Sequence, residues 1–126
     1  MAKFYICDEC KSIVLKLNSV GASPVCCGKP MRELRANSVD AAQEKHVPAF
    51  KEEGNLVKVV VGSVPHPMED DHYIEWIYLL TDKGAQIKYL HPHDAPAAEL
   101  ALSEDEVAIA VYAYCNKHGL WKADIE

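Results

Sequence analysis

A chain of 126 residues with 49% hydrophobic and 25% charged side chains has the composition of a soluble globular protein, long enough for one full domain plus a small attached module. Its formal net charge of −6 argues against a general nucleic-acid or membrane-surface binder, and no run of about 18 apolar residues offers a membrane span. Met1 to Cys7 lack the apolar stretch and cleavage site of a signal peptide, so a cytoplasmic location is expected.

Residues 1–36 form the first predicted unit. Phe4-Tyr5-Ile6, Ile13 to Leu17 and Met31 to Leu34 read as short β segments, separated by Cys7-Asp8-Glu9-Cys10, a Gly21/Pro24 turn and Cys26-Cys27-Gly28-Lys29-Pro30. So short a segment has little core of its own and needs a metal, disulfides or oligomerisation to stay folded. The cysteine count of five is odd, and a CxxC in a reducing compartment favours metal ligation over disulfides. Adjacent Cys26 and Cys27 could form only a strained bridge, which points the same way. Cys7, Cys10, Cys26 and Cys27 together make a tetrathiolate set, and spacing alone leaves a zinc ribbon and an iron centre both open.

A linker is expected near Ala36 to Asp40, and residues 37–126 form the second unit. There, β-rich runs alternate with turn signals: Leu56 to Val61, Tyr73 to Leu80, Gln86 to Leu90, Ala97 to Leu102 and Val107 to Tyr114. Apolar residues recur at period two in Val57, Val59, Val61 and again in Val107, Ile109, Val111, Ala113, with fairly apolar opposite faces, as in strands buried between sheets. Turns at Glu53-Gly54-Asn55, Asp82-Lys83-Gly84 and His91-Pro92-His93-Asp94 arrive at the spacing of an antiparallel sandwich, and Ser103 to Glu106 leads into the last long strand. His46 to Gly54 and Pro65 to Asp71 read as irregular segments, and both carry histidines.

Those histidines define a second constellation: His46, His66, His72 and the closing Cys115-Asn116-Lys117-His118. Any one of them alone is more often a surface or core residue, but strand ends and loops are where a rigid β scaffold presents ligands. Structural zinc sites close with four ligands, so four imidazoles and one thiolate on one ion suggest a redox metal whose sixth position stays free. Lys45, next to His46, would place a cation near that open face and attract a small anion; read without further context it is a solvated loop lysine, and Glu44 an ordinary exposed acid. His91 and His93 read as loop residues outside the site, and Trp76, Tyr114 and Trp121 as packing.

Cys7-x-x-Cys10 followed by Cys26-Cys27-Gly28-Lys29-Pro30-Met31 resembles desulforedoxin, a small iron-thiolate module. Glu44-Lys45-His46-Val47-Pro48, Gly62 to Met68, His72 to Trp76 and Cys115 to Lys122 resemble the superoxide reductases, and with the first module included the chain resembles the two-iron desulfoferrodoxins over nearly its whole length. That resemblance implies an all-β chain: a metal-stapled, desulforedoxin-like N-terminal domain, then an immunoglobulin-like, neelaredoxin-like antiparallel β-sandwich. It implies two iron ions, one Fe(Cys)4 on Cys7, Cys10, Cys26 and Cys27, and one Fe(His)4(Cys) with His46, His66, His72 and His118 equatorial and Cys115 axial. It implies a superoxide reductase that reduces superoxide to hydrogen peroxide without releasing dioxygen, in detoxification under oxidative stress. Lys45 would act beside the open position, and Glu44 would occupy it once the iron is ferric. A small electron-donor protein such as a rubredoxin and a homodimeric state are implied as well. Two readings of other classes stand beside this one: a non-catalytic iron electron-transfer or redox-sensing protein, and a zinc-stabilised interaction domain.

Overall fold

Short β-branched and aromatic runs become strands in both halves of the chain, and among the described residues the only α-helix, α1 (Gln43–His46), is one turn long. The computed structural model describes residues 3–18 and 20–125; Met1, Ala2, Ser19 and Glu126 lie outside the described residues. The chain divides into two units, Met1–Arg35 and Ala36–Glu126.

In the first unit, β1 (Lys3–Ile6) lies between β2 (Ile13–Lys16) and β5 (Arg32–Leu34), antiparallel to both, with Tyr5 opposite Val14 and Glu33. A separate hairpin pairs β3 (Val25–Cys26) with β4 (Lys29–Pro30). Its two-residue connection is Cys27–Gly28, at φ +52° and +73°, the left-handed pair that a tight primed hairpin turn requires. This backbone lets adjacent cysteines serve one cluster: Cys26 ends a strand while Cys27 turns back in the left-handed region. The apolar content is small, with Tyr5, Cys7 and Met31 buried against Val14 and Cys26.

The second unit is an immunoglobulin-like antiparallel sandwich. One sheet runs β10 (Ala97–Ala101), β7 (Leu56–Val61), β6 (Pro48–Glu53); the other runs β12 (Gly119–Asp124), β11 (Ala108–Cys115), β8 (Ile74–Thr81), β9 (Ala85–Tyr89). Val57, Val59, Val61 and Leu100 from the first sheet meet Ile77, Leu79, Val111 and Ala113 from the second, all essentially inaccessible to solvent. The period-two pattern of Val57 to Val61 is the inward face of β7.

Several expectations need correction. Residues 48–53, within a segment read as irregular, form β6; on this edge strand only Pro48 is buried, so no apolar alternation marks it. Val107 to Tyr114 is not the closing strand, because β12 follows the CxxH and pairs along β11. A register shift between Ala108 and Ala110 breaks the phase at the start of β11: Ala108 joins the core whereas Val107 stays outside the strand and exposed. The expected linker is also tied down. Asn37 takes φ +60°, donates its main-chain N–H to Leu120 O at 3.0 Å, and its Oδ1 accepts from Lys122 N at 2.9 Å. Among the described residues no helix is long and apolar enough to cross a membrane.

Candidate metal centres

The sulfur atoms of Cys7, Cys10, Cys26 and Cys27 all lie within 4.8 Å of one another. Cys7, at the end of β1, is buried; its N–H donates to Ser12 O at 2.9 Å and its carbonyl accepts from Lys11 N at 2.8 Å, closing the knuckle that brings Cys10 back. Cys10 Sγ is 3.6 Å from Cys26 Sγ, which is 3.9 Å from Cys27 Sγ. The Cys10 N–H, pointing at sulfur, pulls the Cys7 thiol down to about 7, whereas the crowding of Cys10 and Cys7 pushes Cys26 up to about 12. Four sulfurs this close cannot all ionise unless a cation sits among them, and all five cysteines are free of disulfides.

The second centre is assembled at strand ends. His46 closes α1 just before β6. His66 follows β7 through a turn in which its N–H donates to Val61 O at 3.2 Å. His72 lies in a tight 69–72 turn just before β8, and Cys115 and His118 flank the β11–β12 connection. The four imidazoles form a closed cycle. Successive ring centroids, His46 to His66, His66 to His72, His72 to His118 and His118 to His46, are 4.7, 4.8, 5.1 and 4.9 Å apart, and every pair meets edge to face. Donor atoms of His46, His66, His72 and Cys115 lie within 4.8 Å of one another; His118 Nδ1 is 3.1 Å from His46 Nε2 and 3.9 Å from Cys115 Sγ.

Hydrogen bonds at the far side of two rings fix which nitrogen faces inward. His46 Nδ1 lies 2.6 Å from Ala42 O and His66 Nδ1 2.6 Å from Pro67 O; a carbonyl only accepts, so each Nδ1 carries the proton and each Nε2 keeps a lone pair for the centre. His66 Nε2 and His72 Nε2 are buried with no hydrogen-bond partner. Buried polar atoms are rarely left unpaired, and a cation inside the ring would satisfy both. Burial disfavours the charged form of three of the rings: it lowers His46 and His72 and brings His66 down to about 4, outweighing the opposing pull of the Pro67 carbonyl. Burial pushes the Cys115 thiol up, opposed by the main-chain N–H groups of His118 and Lys117. Inward nitrogen lone pairs beside a buried thiol fit a transition-metal ion.

Trp121 supports two of the cage histidines at once. Its indole N–H donates to His118 O at 3.0 Å, and its ring stacks on His46 at 4.9 Å between centroids, inclined by 28°. Tyr114 stacks on Trp76 at 5.6 Å. Glu44 and Lys45 occupy α1 ahead of His46 with exposed side chains, and their main chain is held by Val64 N–H and Ser63 Oγ donating to Glu44 O at 2.9 and 3.3 Å. His93 pairs with Asp70 at 3.0 Å and His91 lies 3.6 Å from Asp94; neither joins a metal-binding group. Two contributors escaped sequence reasoning. Gly62 approaches the main chain of Glu44 and Lys45 closely, and Asn116 bonds to both neighbours of His72. Their signal was position alone, one at the strand end leading to His66 and the other inside the CxxH.

A seven-stranded sandwich with a cage of imidazoles and a thiol at its strand ends, joined in sequence to a four-cysteine knuckle, defines a two-site, all-β metalloprotein class. Residues 38–124 match the desulfoferrodoxin family model, and the chain belongs to the desulfoferrodoxin family. It is 46% identical over 122 residues to a desulfoferrodoxin of Nitratidesulfovibrio vulgaris, covering 97% of this chain and 95% of that one. Its fold is similar to the superoxide reductase of Treponema pallidum, with TM-score 0.84 and 37% identity over 98% of this chain and 99% of that one. It is also similar to the superoxide reductase (1Fe-SOR) of Giardia intestinalis, with TM-score 0.57 and 33% identity; there 66% of this chain covers 98% of the other. The similar proteins that carry an enzyme's name are oxidoreductases, and the chain is classed with them.

Proposed function

We propose that this chain is a superoxide reductase, transferring one electron to superoxide with uptake of two protons to give hydrogen peroxide and no dioxygen. The observation that carries the reading is the closed cycle of four imidazoles with the Cys115 thiol beside it. In this reading His46, His66, His72, His118 and Cys115 hold one iron ion, and Cys7, Cys10, Cys26 and Cys27 hold a second. Ferrous iron on five protein ligands would supply the electron and an open position.

The remaining work belongs to the chain. Ala42 and Pro67 carbonyls hold His46 and His66 in the tautomer that directs Nε2 inward. The Lys117 and His118 N–H groups favour a Cys115 thiolate whose burial otherwise disfavours charge. Lys45, exposed on α1, draws a small anion toward the cage and organises water for proton delivery, while Glu44 is the carboxylate available to an oxidised centre. Residues 1–36 act as a desulforedoxin-like iron domain and residues 37–126 as the catalytic domain. Free cysteines suit a reducing cytoplasm, where a rubredoxin-like protein would donate electrons to a homodimer.

Rapid mixing of the reduced protein with superoxide tests the reading. Peroxide should form without dioxygen, and Cys115→Ser should abolish the reaction. Unaltered turnover in the serine variant, or dioxygen in the yield of a dismutation, would overturn it.

A further inference from the structure

We propose that Asn116 is a positioning residue for His72, binding the main chain on both sides of that histidine to the connection that bears Cys115 and His118. The inference rests on the proposed ligand set. Three hydrogen bonds define it: Asn116 Oδ1 accepts from Tyr73 N at 3.0 Å, Asn116 Nδ2 donates to Asp71 O at 3.0 Å, and Asn116 N donates to Tyr73 O at 3.2 Å. The side-chain amide thus uses an acceptor and a donor on residues 73 and 71, leaving only residue 72 between them. The rings of His46 and His66 are oriented by hydrogen bonds from their own Nδ1 atoms to Ala42 O and Pro67 O, whereas His72 is held through the main chain on either side of it; its Nε2, like that of His66, is buried with no partner.

The other fastenings of this segment do not reach the cage or are weak: His93 ties it to the 91–94 loop through Asp70 at 3.0 Å and Met68 O at 2.7 Å. The 69–72 turn closes on itself through Glu69 N to His72 O at 2.9 Å and His72 N to Glu69 O at 3.3 Å. The Lys117–Asp71 pair spans 3.8 Å between side chains at least half exposed, a geometry that holds little in water. Asn116 therefore supplies the direct hydrogen bonds from the Cys115–His118 connection to residues 71 and 73, on either side of His72. Its amide is also specific: aspartate keeps the acceptor for Tyr73 N but places a carboxylate against Asp71 O, and alanine removes both side-chain bonds.

Cobalt(II) binding to the full-length chain provides the test, read by visible d–d and thiolate-to-metal absorption and by competition with a chelator. The tetrathiolate site in the same molecule serves as an internal reference. Asn116→Ala should weaken cobalt at the histidine site by about tenfold or more, the usual consequence of losing an outer hydrogen-bond partner, and shift its d–d bands, with the tetrathiolate bands unchanged. Asn116→Asp should fall between alanine and wild type. Asn55→Ala, which removes an amide bonded to Leu102 O at 3.4 Å away from the cage, should leave both sites as they were. If Asn116→Ala does not fold, the aspartate variant decides. Wild-type affinity and spectrum in the variant that folds would overturn the proposal. If instead the wild-type histidine-site spectrum survives Cys115→Ser unchanged, it is the ligand assignment that fails.

Discussion

Replacing Gly62 with alanine should damage the cage from outside it. Gly62 has φ +86°, and a Cβ there would sit 2.7 Å from Glu44 O and 2.8 Å from Lys45 C, with Val64 O closer still. These are backbone atoms with no flexible end to swing away. Restoring ordinary contact at 3.4 Å moves the 44–45 main chain by roughly 0.7 Å, more than the ~0.5 Å tolerance of a preorganised site. The left-handed backbone and the overpacking each cost about 1–3 kcal/mol, so a loss of about 2–6 kcal/mol is expected. For a unit of this size that lowers Tm by about 10 °C or more. The matched control is Gly54→Ala, at φ +59° with nothing within 4 Å of the added carbon, which carries only the backbone cost. Thermal melts of both variants, with cobalt affinity at the histidine site, separate the two effects. Equal losses in the two variants would refute the argument that close approach at Gly62 holds the segment bearing Glu44, Lys45 and His46.

Lys45→Ala should slow the second-order reaction with superoxide and flatten its ionic-strength dependence, measured by pulse radiolysis across a salt series; an unchanged salt profile would remove Lys45 from the encounter. Metal-free protein should lose stability in acid through His66, whose ordinary value of 6.5 falls to about 4 in the fold. The unfolded chain takes up the proton first as pH falls, so this contribution is complete above 6.5, declines between 6.5 and about 4, and amounts to about 3 kcal/mol; urea titrations across that window should show the slope. Cys10→Ser should empty the tetrathiolate site, seen as loss of its charge-transfer absorption, while superoxide reduction persists; simultaneous loss of both would mean that the two centres are coupled.

Much of the sandwich was legible because burial imposes period two. Val57, Val59 and Val61 alternate with partly or fully exposed neighbours, and β7 follows directly. That the four cysteines come together, and His46, His66 and His72 with Cys115, was legible from residue type and from their places at strand ends and loops. What stayed hidden lacks a local signature. β6 has five exposed residues after Pro48, so its strand character comes only from pairing with β7. β12 was hidden because Leu120 and Trp121 are buried side by side, which breaks alternation. Asn37 and Asn116 act through hydrogen bonds that cross 85 and about 45 positions of chain, and such partners leave no periodicity.

The fastenings around the cage divide it along the line between the two sheets. Gly62, Ser63 and Val64, just beyond β7, join the turn of His66 to the α1 main chain that leads through His46 into β6, so both histidines belong to the three-stranded sheet. Asn116 joins the turn that leads through His72 into β8 to the β11–β12 connection of Cys115 and His118, so those three belong to the four-stranded sheet. Trp121 reaches across, bonded to His118 and stacked on His46. An ion held by all five donors would tie one sheet to the other at the end of the shared core of Val61, Ile74 and Cys115. Its binding free energy would add to the packing between sheets, while the hydrogen-bond ladders within each sheet are complete without it. The N-terminal unit stands differently, because Cys7 and Cys26 belong to its small core as well as to its thiol cluster, so a metal there would be bound by the same residues that hold the unit together.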